Sequence, residues 1–406
     1  MNIEDKIENY ITSYFSADEL KIMKQYYFHD YGHDDTQLND PEYIKLTAFY
    51  KKLAGIAEES KYRVEIDKSG TALLEKIFMR YVKKDTFVIS TIESHLSVQQ
   101  CVNKVNPNNV YKIYTGKKDH LSSSIYEEAW KAFQQSKCTN VLILLEGVIP
   151  GFSWVIDNSV FLKFKQVFDN HSIPSLLILD DCQGIFHIKR DYEIFDAILA
   201  TAHTLEIGFD MGILFTKLPQ KIGYINKTGL KNFSDKLNII VNHIDKANEF
   251  NSLLKEYFKS SQNEYFSFPE GVSPQHFTMH LNNVNSIPAK LATDLCSNYL
   301  FIFNETNTSN SWFRIRYHEF IVQDPKKILD GLKKTKEIIK KLTRYQELAK
   351  DKEFEFGKDF MEPVELINEK RFKILDDFYH YTDNKIITQV KGSILARALQ
   401  GGMRSR

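Results

Sequence analysis

Three observations predict an α/β fold, a mostly parallel sheet with helices on both faces, followed by a smaller α+β domain. Short continuous apolar runs recur through the middle of the chain, helix-length amphipathic stretches separate them, and the pattern changes after about residue 240. Strands covered by helices on both faces read as unbroken apolar runs rather than as alternation.

The expected strands are residues 86–90, 111–114, 141–145, 176–179, 197–200 and 213–216, with helices over 122–135 and 158–170 between them. These belong to a large domain over residues 43–240. Residues 232–259 read as one or two long helices, a strand-like pair follows at 300–303 and 312–317, and an amphipathic basic helix runs over 325–348. Pro325 suits the first turn of that helix, and its lysine run reads as a solvated face. These elements make a small α+β domain over residues 241–349. Residues 1–42 form an N-terminal helical segment expected to pack on the small domain, and residues 350–406 form a C-terminal extension.

The bulk composition narrows the function. The chain has 406 residues, 43% hydrophobic and 26% charged, enough to bury a large core without disulfides or metals. Lysine plus arginine and aspartate plus glutamate each number 53, which argues against a nucleic-acid-binding surface spread over the whole protein. Four cysteines without framework spacing suit free thiols in a reducing compartment. The charged N-terminus has no secretory signal, and the longest apolar runs are strand-sized, so the expectation is a cytoplasmic protein with no membrane span.

Six short segments carry chemistry. Lys68-Ser69-Gly70-Thr71-Ala72 opens a helix after a short apolar segment, which exposes backbone N–H groups to an anion; it also suits an ordinary N-cap. His95 follows the strand ending at Ser90, presenting a flat imidazole at a strand end. Leu144-Leu145-Glu146-Gly147 places a carboxylate at another strand end, ahead of Pro150 and Gly151. Asp180-Asp181-Cys182-Gln183-Gly184 follows four apolar residues, where a buried carboxylate needs a cationic partner or a helix to cap. Asp196 opens a run that passes Thr201, His203, Thr204 and Gly208 to Gly212. Last, Arg314 and Arg316 alternate on a strand, sharing a face if it is regular.

In order and spacing, these segments resemble the fold-type-I pyridoxal-phosphate (PLP) enzymes over about residues 53–342, in particular the aminotransferase class I/II and α-oxoamine synthase branch. The resemblance implies the three-layer, aspartate aminotransferase-like large domain and a cofactor site. In it, Gly70, Thr71 and Ala72 grip the phosphate, with Thr201 touching it too. His95 stacks on the pyridine ring, Asp180 keeps the ring nitrogen protonated, and Gln183, in place of the usual His, hydrogen-bonds the phenolic oxygen. Arg314 or Arg316 takes a substrate carboxylate. Where the oxoamine synthases carry a Ser-Met pair, Ile149 and Pro150 stand here.

The departure that matters most is a missing lysine. The family's cofactor lysine lies eight positions after the Asp, and here that position is Thr204, which cannot form an imine. Lys217, thirteen residues further on, starts too far away. The resemblance then implies a non-catalytic subunit that retains a cofactor-like pocket, as a homodimer or as a heterodimer with a lysine-bearing paralogue, like the lysine-lacking partner of serine palmitoyltransferase. The alternative is a lysine-independent PLP or PMP enzyme acting on a small amino-acid-like or amino-sugar-like substrate, with His203 as general base.

Overall fold

The structure, a computed structural model, describes residues 2–24, 41–92, 94–113, 124–149, 154–201, 211–223, 230–259, 266–268, 276–281, 302–303, 312–316, 326, 328–333 and 336. The elements in chain order are α1 (Ile3–Tyr14), α2 (Ala17–Met23), α3 (Pro41–Leu53), β1 (Arg63–Asp67), α4 (Gly70–Tyr81), β2 (Thr86–Thr91), α5 (Leu96–Val102), β3 (Val110–Ile113), α6 (Ser124–Ser136), β4 (Asn140–Glu146), α7 (Asn158–Asp169), β5 (Ser175–Asp180), β6 (Ala197–Thr201), β7 (Gly212–Thr216), α8 (Leu230–Asn242), α9 (Ile244–Lys259), β8 (Phe266–Ser267), β9 (His276–Leu281), β10 (Ile302–Phe303) and β11 (Trp312–Arg316).

Seven strands form one sheet in the order β1-β7-β6-β5-β4-β2-β3. The pairs β2·β3, β2·β4, β4·β5 and β5·β6 are parallel, while β7 runs antiparallel to both β6 and β1. Each of the six expected strands is present within a residue at either end. The seventh, β1, escapes a search for apolar runs because Arg63, Glu65 and Asp67 alternate with Val64 and Ile66. Its Glu65 is nevertheless buried, with Oε2 accepting the N–H groups of Ile222 and Gly223 at 2.6 Å each and Oε1 facing Arg63 Nη2 at 3.1 Å.

The two faces of the sheet are covered differently. On one, Leu73, Leu74, Ile77 and Phe78 form the apolar stripe of α4 and pack with Val98 and Val102 of α5 against Val88, Leu142, Leu144, Ile178, Leu199 and Leu214. The other cover is aromatic: Phe133 of α6 meets Phe87 and Phe168 edge-on at 5.7 and 5.4 Å, and Phe161 of α7 meets Phe195 at 5.1 Å. Two-sided burial explains why these strands are apolar throughout.

The chain divides into two compact units. The sheet belongs to the unit that holds residues 13–251. The other takes in residues 1–12, 252–269 and 277–406, and its described part contains a sheet of order β10-β11-β9-β8. Ile302 pairs with Ile315 and Phe303 with Arg314 across the expected strand pair. In that unit Phe258 stacks on Phe277 at 5.5 Å, and the helical residues Ile328, Leu329 and Leu332 are buried. No helix among the described residues is long and apolar enough to cross a membrane.

Candidate functional site

Parallel strands bring their carboxyl ends to one edge, and open α/β sheets bind ligands there because the following loops and helix N-termini converge on it. Thr91, Glu146, Asp180 and Thr201 end β2, β4, β5 and β6 at that edge, and Gly212 begins the reversed β7 beside Thr201 and Asp67. A cleft of about 660 Å³, counting space open to solvent, lies over them. Ser69, Gly70, Thr71, His95, Glu146, Asp180, Gln183 and Thr201 all line it, with Ser97, Val148, Cys182, Leu199 and Met211.

One wall is the start of α4. Ser69 caps the helix, its Oγ accepting the Ala72 N–H at 3.1 Å. Ala72 is thus committed to the turn itself and does not line the cleft. The N–H groups of Gly70 and Thr71 have no hydrogen-bond partner among the described residues, as is usual for the first turn of a helix, and they meet the favourable end of the helix dipole. Gly70 is required by close approach: a Cβ there would collide with Cγ2 of Thr201. Gly212 backs the same turn, since a Cβ on it would lie 2.5 Å from the Ser69 carbonyl. An ion pair between Asp67 and Lys76 and a 2.8 Å hydrogen bond from the Lys68 N–H to Asp67 Oδ1 hold the approach from β1.

His95 is placed by the start of α5. Its Nδ1 accepts the Ser97 N–H at 3.3 Å and lies 2.8 Å from Ser97 Oγ, so the neutral ring carries its proton on Nε2. The His95 N–H donates to Glu146 Oε1 at 2.7 Å, and the Thr91 hydroxyl donates to Glu146 Oε2 at 3.1 Å. Glu146 therefore ties the end of β2 to the end of β4 beneath the imidazole. The sequence shows Glu146 at a strand end but does not reveal this role.

Asp180 stands in register with Glu146 on the neighbouring strand, and its Oδ1 accepts the Cys182 N–H at 3.2 Å. Burial and the adjacent Asp180 push the Cys182 thiol well above its usual range, so it serves as floor rather than nucleophile. The buried guanidinium belongs to the next residue: Arg190 Nε lies 3.6 Å from Asp181 Oδ2, which also accepts the Tyr192 hydroxyl at 2.8 Å. Arg190 donates further to the carbonyls of Ile156, at 2.5 Å, and Gly147. Burial pushes the Asp181 carboxyl up, against the opposing pull of Arg190 and Tyr192. A run of two aspartates with an arginine ten residues beyond Asp180 is the only trace of this network in the sequence.

Among the described residues lining the cleft there is no lysine or arginine. Lys217 sits at the opposite end of β7, where its Nζ pairs with Glu193 at 3.1 Å and lies 4.4 Å from the centre of the Tyr62 ring. His203, Thr204 and Gly208 lie outside the described residues, as do the side chains of Arg314 and Arg316, whose backbone is in β11. No cluster of His, Cys, Asp and Glu that could hold a metal occurs among the described residues.

No family model matches this sequence, and no curated protein matches it. Solved structures do. A NifS-like protein from Rickettsia africae ESF-5 aligns over 75% of this chain and 88% of its own, with 14% identity and a TM-score of 0.53. A serine palmitoyltransferase from S. paucimobilis, solved with PLP bound, aligns over 83% and 87%, with 12% identity and a TM-score of 0.56. Oryza sativa TDC, solved with PLP and tryptamine, aligns over 75% and 76%, with 11% identity and a TM-score of 0.53. Together with the strand order and its single reversed strand, these likenesses show that the chain has the fold of the fold-type-I PLP-dependent enzymes.

Proposed function

We propose that the cleft holds pyridoxal 5′-phosphate without a covalent link, and that the chain is a PLP-dependent transferase-like protein lacking the Schiff-base lysine. It acts as a non-catalytic or partner subunit that retains the cofactor pocket. The observation that carries this is the convergence of the α4 N-terminus, His95, Asp180 and Thr201 on one cleft at the carboxyl ends of the sheet. The donor set fits the group: unpartnered N–H groups on Gly70 and Thr71 with the Thr201 hydroxyl for a phosphate, an imidazole for a ring face, and a carboxylate for a ring nitrogen.

Bound there, the cofactor supplies an electron sink for charge that develops beside an amine-bearing carbon. Asp180 holds a proton on the ring nitrogen, Gln183 offers its amide to the phenolic oxygen, and His95, held by Ser97 and Glu146, packs on the ring. What the lining does not offer is an amine: none of its described residues is a lysine, and Thr204 stands at the lysine position in the sequence. The subunit reading takes its partner to be a second copy or a lysine-bearing paralogue, and Arg314 and Arg316 to be the residues for a substrate carboxylate.

The test is to add PLP to the purified chain, record visible absorption, reduce with borohydride and map the labelled peptides. Binding without a labelled lysine at the cleft is expected, and Thr204→Lys should create the visible imine band. A lysine labelled in the wild-type cleft overturns the reading.

A further inference from the structure

The cleft carries two carboxylates where a cofactor's ring nitrogen needs one. Glu146 and Asp180 are 3% and 6% exposed, both face the cleft, and they stand in register at the ends of neighbouring parallel strands. Neighbouring strands lie about 4.8 Å apart, so a ligand seated on Asp180 has Glu146 beside it. The described lining sets no ammonium or guanidinium group against the pair, while the opposite wall is a helix N-terminus that favours an anion. A ligand that complements this lining carries a phosphate at one end and two positive charges at the other.

We propose that the cleft selects the amine form of the cofactor, pyridoxamine 5′-phosphate, over the aldehyde form, and that Glu146 confers the preference. This rests on the reading of the cleft as a cofactor pocket and adds which form its charges favour. The protonated ring nitrogen matches Asp180. A lysine side chain at position 204 would bring a second positive charge to the site, but the sequence has Thr204 there. The ligand's own ammonium takes over that charge. An aldehyde or its hydrate offers Glu146 none. Hydrogen bonds from the His95 N–H at 2.7 Å and the Thr91 hydroxyl at 3.1 Å hold the Glu146 carboxylate in place, so it does not swing away to solvent.

The test is a calorimetric titration of the full chain with three ligands: pyridoxamine phosphate, pyridoxal phosphate, and 4′-deoxypyridoxine phosphate, which keeps ring and phosphate but has neither amine nor aldehyde. The amine form should bind about 10-fold or more tightly than the other two, the effect of one added charge pair in a partly desolvated site. In Glu146→Gln the advantage should fall to about 3-fold or less, with the deoxy compound bound as in the wild type, which also reports an intact fold. Equal or tighter binding of the aldehyde or deoxy form by the wild type overturns the selectivity while leaving the pocket standing. So does an undiminished preference in Glu146→Gln that still binds the deoxy compound. Binding of none of the three overturns the cofactor reading itself, and the selectivity with it.

Discussion

Arg190 and Asp181 form an ion pair inside the protein, Nε to Oδ2 at 3.6 Å, with side chains 3% and 0% exposed. The pair is a brace between strand ends. Asp181 directly follows β5, and the Arg190 guanidinium bonds the carbonyl of Gly147, which directly follows β4. The spacing of Asp180 and Glu146 across the cleft floor is thereby held from behind.

Removing one partner leaves a buried charge. Arg190→Met should lower stability by about 3–5 kcal/mol in urea denaturation, far more than loss of an exposed pair. The double variant Arg190→Met with Asp181→Asn should recover most of that loss, because the uncompensated carboxylate is then gone. A single variant within about 1 kcal/mol of wild type would show that the brace contributes little.

The phosphate-side turn should respond to a single methyl group. Gly70→Ala drives a Cβ into Thr201 Cγ2 and should cost about 1–3 kcal/mol through overpacking, with weakened cofactor binding. Thr201→Ser removes that methyl and keeps the hydroxyl. Added to Gly70→Ala, it should restore both melting temperature and binding. Failure of the rescue would place the cost elsewhere in the turn.

Stability should fall on mild acidification because of His187. Burial lowers its pKa to about 4, from 6.5. Between those values the unfolded chain takes up a proton that the folded chain refuses. The contribution is complete above about pH 6.5 and is lost progressively as pH falls to about 4, by about 3 kcal/mol at most. His187→Phe should flatten the stability profile over that window, and an unchanged profile would exclude His187 as its source.

A non-catalytic subunit makes a kinetic prediction. With PLP and any amino acid in deuterated water, the chain alone should show no exchange of the α-proton by NMR, and His203→Ala should change nothing. Exchange that disappears in His203→Ala would instead establish a lysine-independent base at that position.

How far the site was legible follows from what writes a signal into a sequence. The six apolar strands are visible because burial on both faces demands apolar residues at every position. His95 and Asp180 stand out because each directly follows such a run. β1 is hidden because its carboxylates are neutralised by contacts far along the chain: Glu65 is received by the backbone of Ile222 and Gly223, which has no side-chain signature.

By itself, the sequence determined the sheet's strands, the order of the site segments along the chain, and the threonine where the related enzymes carry lysine. Only the tertiary structure decided that β1 sits beside the reversed β7, that Thr201 closes on Gly70, that Glu146 holds His95, and that the buried arginine answers Asp181 rather than Asp180. The physical reason is common to all four. Strand register and buried polar partnerships join residues distant along the chain, and they leave no local period to read.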